Sequence, residues 1–317
     1  MNANKKDSRI TLLRRAALLC ALIVITIVSI SAFIRLSGAG LGCSPWPHCY
    51  GQTLRDEQHG IPRATDTQAS QSVTVARFAH RFLAILLLPL MLVLVLGGFT
   101  MQPKRWNERW TALLALTLVL FLAVLGRWTA GARVPAVTLG NLLGGFLLFA
   151  LCWRMAVIGR GQSDGPLLSR QTRVWRGVAV AILLSQIVLG GLVSSSFAGL
   201  SCPNFTDCII PTPVPWAALN PLREPHFDSS ILSVNGQGAL VHTLHRWAAA
   251  VAALAVSAAA IILMRSGRRW VGFALLLLVG IQLAVGVLLV HNGLPLALAV
   301  AHNGVAALLL ANLLSVD

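Results

Sequence analysis

The sequence predicts an all-α integral membrane protein with eight transmembrane helices, built as two tandem four-helix bundles related by a pseudo-two-fold axis along the membrane normal. Three observations support this fold class. Hydrophobic residues make up 56% of the chain and charged residues only 11%, whereas a soluble domain has roughly 25% charged residues. Apolar runs long enough to cross a bilayer recur along the chain, and motifs of the first half return in the second half.

Eight apolar runs are the predicted spans. They cover residues 16–34, 75–99, 110–125, 134–158, 178–193, 238–264, 270–290 and 294–314. Basic residues precede the first run, as they do in a signal peptide. The run is too long for a signal peptide, however, and Arg35 interrupts the place of a cleavage site. We therefore expect a membrane helix there.

The basic residues predict the topology. The 25 lysines and arginines give a formal net charge of +15, and most of them fall in the segments 5–15, 104–109, 154–176 and 265–269. These segments alternate with long loops, which the positive-inside rule assigns to the outer side. Both termini are then cytoplasmic. The positive-inside rule thus explains the net charge. The charge agrees with a membrane lipid environment and indicates no nucleic-acid partner.

Several motifs occur twice in the same order. The repeated elements, first half before second, are Gly40-Leu41-Gly42-Cys43 and Gly199-Leu200-Ser201-Cys202, Cys49 and Cys208, His80-Arg81 and His245-Arg246, and Pro135 and Pro295. Because each half has four spans, both halves have the same orientation in the membrane. We predict an N-terminal half, residues 1–165, and a C-terminal half, residues 166–317.

The predicted outer loops carry two cysteine pairs, Cys43 with Cys49 and Cys202 with Cys208. Disulfides persist in such an oxidising compartment, so we predict one in each loop. Each is either a structural staple or a redox-active pair beside the site. Two cysteines in a loop are too few for a zinc site. The other two cysteines, Cys20 and Cys152, fall in spans and are predicted to be core residues.

Two histidines of the second half are predicted metal ligands. An ionisable residue in a span is costly and usually functional. At about 1.5 Å per residue, His245 lies roughly 10 Å and His302 roughly 12 Å below the outer start of its span. Two imidazoles at similar depth on parallel helices, without a nearby carboxylate, favour a haem iron with two axial histidines. Zinc or copper would require more ligands.

The other histidines are predicted to have different roles. His80 has the matching position in the first half, but its expected partner is Asn141, and an amide is a poor ligand for haem iron. That half then holds haem by one histidine or leaves an open coordination position. Two secondary candidates are His242, one turn before His245, and His291, at the outer end of its span. Three loop histidines are predicted to be solvated: His48, His59 and His226.

Arginines distinguish the two halves. The first half has Arg35, Arg77 and Arg127 where the second has Ser194, His242 and Val287. Arginine suits bidentate carboxylate recognition, and a porphyrin carries two propionates. The alternative is that these side chains extend to the membrane interface. Our hypothesis is that the first half takes a substrate porphyrin while the second half holds a permanent haem b.

The segment 35–51, RLSGAGLGCSPWPHCYG, closely resembles the first outer-loop signature of the haem A synthase (CtaA-type) membrane family. The histidine–arginine pairs, the loop cysteines and the duplication agree with it. The resemblance implies an oxidoreductase that converts the C8 methyl of haem O to the formyl of haem A for cytochrome oxidase. It implies a haem b cofactor in the second half and the active site in the first. We also predict Arg35, Arg127, Arg81 and Arg246 as cofactor-binding residues.

The resemblance also implies a bacterial inner membrane and haem O synthase as a neighbour. The electron partner and the oligomeric state, a homo-oligomer included, are left open. Two positions depart from the family pattern. Arg77 stands where the family has a glutamate, and Asn141 stands where it has a second histidine of the first half. A carboxylate would accept protons and arginine cannot, so the catalytic set becomes His80, Asn141 and Arg77, and its competence is in question.

Other functions are compatible with parts of this pattern. The first alternative is a non-catalytic haem-binding membrane protein that assists cytochrome oxidase assembly. A repeat-built transporter would have broken helices at the bilayer middle, whereas Pro135 and Pro295 lie at span edges. A b-type electron-transfer cytochrome resembles the predicted site physically, and only the loop signature argues against it.

Overall fold

The computed structural model describes residues 3–61, 71–100, 106–129, 133–157, 168–204, 207–227, 232 and 234–316. Within these residues the chain forms nine α-helices and no strand. The helices are α1 (Ala3–Gly38), α2 (Gln52–Gln58), α3 (Gln71–Thr100), α4 (Trp106–Thr129), α5 (Pro135–Val157), α6 (Arg170–Ser195), α7 (Gly238–Arg265), α8 (Arg269–His291) and α9 (Leu296–Leu314). The predicted inner segment at 104–105 and the predicted boundary between the halves lie outside the described residues.

Eight of these helices, all except α2, are long and apolar enough to cross a membrane. The predicted all-helical class and the eight spans are therefore confirmed. Several helices extend beyond the predicted spans, because helical hydrogen bonding continues into polar residues that hydropathy does not mark. The start of α6 is an example, since the Ser169 side chain accepts from the Thr172 backbone N–H at 3.1 Å and caps the helix.

The neighbouring helices form two closed rings of four. In the first ring α1 contacts α3, α3 contacts α4, α4 contacts α5, and α5 returns to α1. In the second ring α6, α7, α8 and α9 follow the same order. The rings meet where α5 contacts α9, α1 contacts α9 and α5 contacts α6. This pattern is compatible with a two-fold relation between the halves, and the symmetry itself stays a prediction.

Small residues let the two rings approach closely. Helices α5 and α9 are in contact, and Ala150 of α5 and Ala307 and Ala311 of α9 are fully buried. Gly191 of α6 has the same role, because a Cβ at this position would lie 3.1 Å from Leu142 Cδ2 of α5. Membrane helices associate through such small residues, since lipid offers no hydrophobic driving force.

The loops on the predicted outer side pack against each other into a unit that we call the outer cap, formed by the described residues of 39–61 and 197–227. The side-chain amide of Gln58 donates to the Pro225 carbonyl at 2.6 Å and accepts from the Phe227 N–H at 3.1 Å. Arg55 is 2% exposed, with its guanidinium 5.8 Å from the centre of the Phe227 ring. The Tyr50 ring lies 5.8 Å from that of Phe197. The cap thus joins the two halves above the helices.

Candidate functional site

The two histidines predicted as ligands in the second half lie close together. His245 is seven residues after the start of α7, and His302 is six residues after the start of α9. At 1.5 Å per residue the two positions are about 10 Å and about 9 Å along their helices. The imidazoles are near enough to interact electrostatically. The structure therefore brings these two residues to one site at a common depth.

A glutamine amide contacts each imidazole. Gln186 Nε2 lies 3.0 Å from His245 Nδ1 and donates to the His245 carbonyl at 3.1 Å. Gln282 Nε2 lies 3.1 Å from His302 Nε2. Gln186 is nine residues before the end of α6, and Gln282 is nine residues before the end of α8. Two helices of the ring thus carry the histidines, and the two helices between them carry the amides.

Glycines provide the space for the rings. A Cβ at Gly190 of α6 would lie 2.8 Å from His245 Cε1, which is closer than real carbon contacts allow. A Cβ at Gly286 of α8 would lie 3.3 Å from His302 Cε1. Each glycine is one turn after the glutamine on its helix. A larger side chain at either position would displace the imidazole from its place.

Several polar atoms at this site lack a hydrogen-bond partner among the residues that the structure describes. Arginines aside, the buried side-chain nitrogens and oxygens without a hydrogen bond in the described residues are Gln186 Oε1, Gln282 Oε1 and His302 Nδ1. Buried polar atoms are normally paired, so a concentration of them at one site indicates a missing group. A haem iron would fit between the two imidazoles, since each ring has one nitrogen that its glutamine does not contact, Nε2 of His245 and Nδ1 of His302.

The neighbouring His242 has a structural role. Its Nδ1 lies 3.0 Å from the Ala198 carbonyl of the outer cap, and the residue is 5% exposed. Arg246 also binds the cap, because its guanidinium donates to the carbonyls of Cys202 and Asn204, each at 2.8 Å. The remaining histidines of the loops and of the end of α8 are exposed: His48, His59, His226 and His291.

The loop cysteines lie in close pairs. The Cα atoms of Cys43 and Cys49 are 6.2 Å apart, and those of Cys202 and Cys208 are 4.5 Å apart, both within the range of disulfides. Cys208 Sγ lies 3.0 Å from Thr243 Oγ1, two residues before His245 on α7. The second pair therefore packs against the outer part of α7. Cys20 and Cys152 are fully buried and free, as predicted for core residues.

The first-half residues are distributed differently. His80 on α3 and Asn141 on α5 are half-buried, on the two helices that occupy the ring positions of α7 and α9. The structure leaves three of the predicted arginines exposed: Arg77, Arg81 and Arg127. Arg35 is partly buried between the halves. Its guanidinium donates to Ser194 Oγ at 2.5 Å and to Asn303 Oδ1 at 3.4 Å, and Asn303 follows His302 directly.

Tyr50 of the outer cap lies beside Arg35. Burial raises the pKa of Tyr50 to about 12, against the opposing effects of a hydrogen bond with the Gly199 backbone and of the Arg35 charge. Its hydroxyl therefore stays protonated at neutral pH. The ring is 2% exposed and is in contact with residues from both halves. Tyr50 thus fixes the cap above Arg35.

Comparison with known proteins identifies the family. A family model described as "Cytochrome oxidase assembly protein" (COX15-CtaA) matches residues 14–314. The chain belongs to the COX15-CtaA family. It is 30% identical to a protein named "Heme A synthase" from Shewanella oneidensis, over 98% of this chain and 96% of that protein. It is 26% identical to a "Heme A synthase" from Sphingopyxis alaskensis, over 92% of this chain and 87% of that protein.

For this COX15-CtaA protein, the sequence reasoning missed the two glutamines. A signal for them exists, because amides are costly inside apolar spans and usually have a purpose there. A second signal is spacing, since both Gln186 and Gln282 are followed by a glycine four residues later. The contact of Arg35 with Asn303 had no such signal, because it joins helices that are far apart in the sequence.

Proposed function

We propose that this chain is a membrane haem A synthase-like oxidoreductase, which converts the C8 methyl of haem O to the formyl of haem A for cytochrome oxidase. The observation that carries the proposal is the similarity to the Shewanella oneidensis relative over 98% of the chain. The histidine site of the second half agrees with it. We place the protein in a bacterial inner membrane with both termini in the cytoplasm, as the basic segments favour.

In this proposal residues 166–317 hold a haem b through His245 and His302. A haem with two axial histidines would supply one-electron transfer at this place. The chain contributes the orientation of the two imidazoles and the water-poor space between α7 and α9. The described residues contain no group of three or more histidine, cysteine or acidic side chains that could hold a metal, so the two-histidine arrangement is the metal-binding hypothesis that the described residues support.

Residues 1–165 take haem O as the substrate. His80 is the imidazole available in the spans of this half, and Asn141 offers an amide in place of a second imidazole. Arg35 supplies a positive charge near the outer end of α1, where a propionate could bind. Haem O synthase supplies the substrate. Oxidation of the methyl to the formyl with water as the oxygen source releases four electrons, which an electron partner on the outer side accepts. The cysteine pairs form disulfides that hold the outer cap closed over both halves.

The second candidate is a non-catalytic haem-binding protein that assists oxidase assembly. Two residues favour it. Arg77 cannot accept a proton, and Asn141 is a poor ligand for iron, so the first half lacks two groups that its family uses. Arg77 is exposed on α3, and a guanidinium at this position cannot take over the proton-accepting role of a carboxylate.

Pigment analysis separates the two candidates. The full chain is expressed in a host that supplies haem O. The haems of purified membranes are then extracted and identified by mass spectrometry. We expect haem A from the wild type. We expect His80→Ala to lose haem A while it keeps a low-spin b-type spectrum, because the histidine site of the second half is untouched.

The histidine variants locate the permanent haem. His245→Ala combined with His302→Ala should lose the low-spin b-type spectrum, since both proposed ligands are gone. His291→Ala is the matched control, because this histidine is exposed at the end of α8. Extraction of haems B and O alone from the wild type would favour the assembly protein, and a spectrum that survives the double change would refute the cofactor site.

A further inference from the structure

Gln186 and Gln282 each contact one of the two proposed haem ligands, Gln186 at Nδ1 of His245 and Gln282 at Nε2 of His302. Each amide lies at hydrogen-bond distance from one ring nitrogen, at 3.0 Å for His245 and 3.1 Å for His302. Each is followed one turn later by a glycine that makes room for the same ring. The arrangement occurs on two different helices, α6 and α8, that face two different histidines. A glutamine amide and a glycine therefore accompany each imidazole of the site, although the two amides contact different ring nitrogens.

The unpaired amide oxygens indicate that the two glutamines can act as hydrogen-bond acceptors. An imidazole that binds iron through one nitrogen carries a proton on the other, and that N–H requires an acceptor. Gln186 Oε1 and Gln282 Oε1 are both buried and have no hydrogen bond in the described structure. Rotation of either amide about its last side-chain bond exchanges its nitrogen and oxygen. Each glutamine can then accept from its imidazole once iron is bound, although Gln186 gives up its hydrogen bond to the His245 carbonyl in doing so.

We propose that Gln186 and Gln282 are positioning residues for the permanent haem, which fix the orientation of His245 and His302 and set the electron density on their iron-binding nitrogens. This inference rests on the proposed haem b site. It adds to that site two residues that do not touch the iron and that act through its ligands. Outer-shell partners of this kind orient a metal-bound histidine and raise its basicity.

The first half lacks this device. Aligned on the cysteine pairs, Gln186 corresponds to Ile27, and aligned on Pro135 and Pro295, Gln282 corresponds to Leu122. Neither apolar side chain can accept a hydrogen bond from an imidazole. The glutamines thus distinguish a half that keeps its haem from a half whose porphyrin must enter and leave as substrate and product.

A neutral amide also has a consequence for the redox potential. A carboxylate at the same place would draw the imidazole proton, make the ligand more basic and stabilise ferric iron. An amide accepts more weakly, so it holds the ring with less stabilisation of the ferric form. Replacement by an apolar residue and replacement by glutamate should therefore shift the midpoint potential in opposite directions.

The test measures the midpoint potential and the haem affinity of the purified full chain. Gln186→Leu and Gln282→Leu should raise the potential and weaken haem binding by about tenfold, the lower end of the range for outer-shell partners. A tenfold difference between the ferric and ferrous affinities is 59 mV for one electron. Gln186→Glu should lower the potential. Asn312→Leu is the matched control, since this amide of α9 donates to the Leu308 carbonyl of its own helix.

The outcomes separate this inference from the proposed function. Unchanged potential and affinity in the leucine variants, beside a b-type spectrum that requires His245 and His302, would overturn the glutamine inference alone. Shifts of the midpoint potential with the same sign in the leucine and glutamate variants would also overturn it. A general loosening of the haem site would shift the potential in one direction whatever the new side chain is. A wild type without a low-spin b-type haem overturns both. If the leucine variants do not fold, Gln186→Glu alone tests the inference. A lowered midpoint potential supports it, and an unchanged or raised potential overturns it.

Discussion

At the scale of single residues, Arg35 shows how the two halves are connected. A cation inside a membrane span is costly and normally turns toward the protein interior, where it finds polar partners. Arg35 donates to Ser194, the residue at the corresponding position of the second half, and to Asn303 beside His302. Residues at equivalent positions meet in this way when they lie near an axis that relates two repeats. The charge therefore joins the halves in addition to its proposed role toward a propionate.

Ser194→Ala should lower the free energy of unfolding by about 1.5–3 kcal/mol, the range for a hydrogen bond to a charged group. The change leaves the guanidinium of Arg35 without one of its acceptors. Thermal unfolding in detergent, followed by tryptophan fluorescence, measures the effect. Ser195→Ala is the matched control, because that hydroxyl donates to the Gly191 carbonyl of its own helix at 2.7 Å. Equal losses in the two variants would contradict the bridging role.

At the scale of elements, α2 decides how the outer cap is held. This helix has seven residues, so it is too short to be stable alone. Its stability comes from contacts with the other half, chiefly those of Gln58 with the backbone of Pro225 and Phe227. Glu57 adds an ion pair with Arg133, which lies just before α5. The cap is thus an assembly of loops from both halves and not a separate unit of either.

Gln58→Ala should release α2 from the cap. Two hydrogen bonds of about 1 kcal/mol each are lost, which corresponds to roughly a 30-fold increase in local opening. Hydrogen exchange of residues 51–59 and 225–227 measures it, and the spanning helices should keep their protection. Gln52→Ala, at the exposed start of the same helix, should exchange as the wild type does. Faster exchange in the membrane helices as well would show that the cap supports the whole fold.

At the scale of the whole molecule, the two rings share one architecture but differ in chemistry. At its histidine site the second ring of helices has two histidines, two glutamine amides and two glycines that leave space for the imidazoles. The first has His80, with Asn141 and Arg77 at the positions where the family resemblance implies a histidine and a glutamate. In our proposal the second half keeps the permanent haem, and the first half has the altered site.

Arg77→Glu combined with Asn141→His should increase the initial rate of haem A formation in membranes supplied with haem O. We expect about 100-fold, the lower end of the contribution of a positioned proton acceptor. Arg170→Glu, a charge reversal at the exposed start of α6, controls for the change of net charge. An unchanged rate would show that the present activity does not depend on the two departures.

Properties that depend on neighbouring residues of the chain can be predicted from the sequence, whereas contacts between distant helices cannot. The apolar runs, the repeated motifs and the depths of His245 and His302 are local properties, so the sequence by itself determined the class, the eight spans and the candidate ligands. The tertiary structure alone decided that glutamines face both imidazoles, that His242 binds the cap, and that Arg35 reaches Asn303. These contacts depend on the rotation of each helix about its axis and on which polar groups meet across the ring. Neither is set by hydropathy.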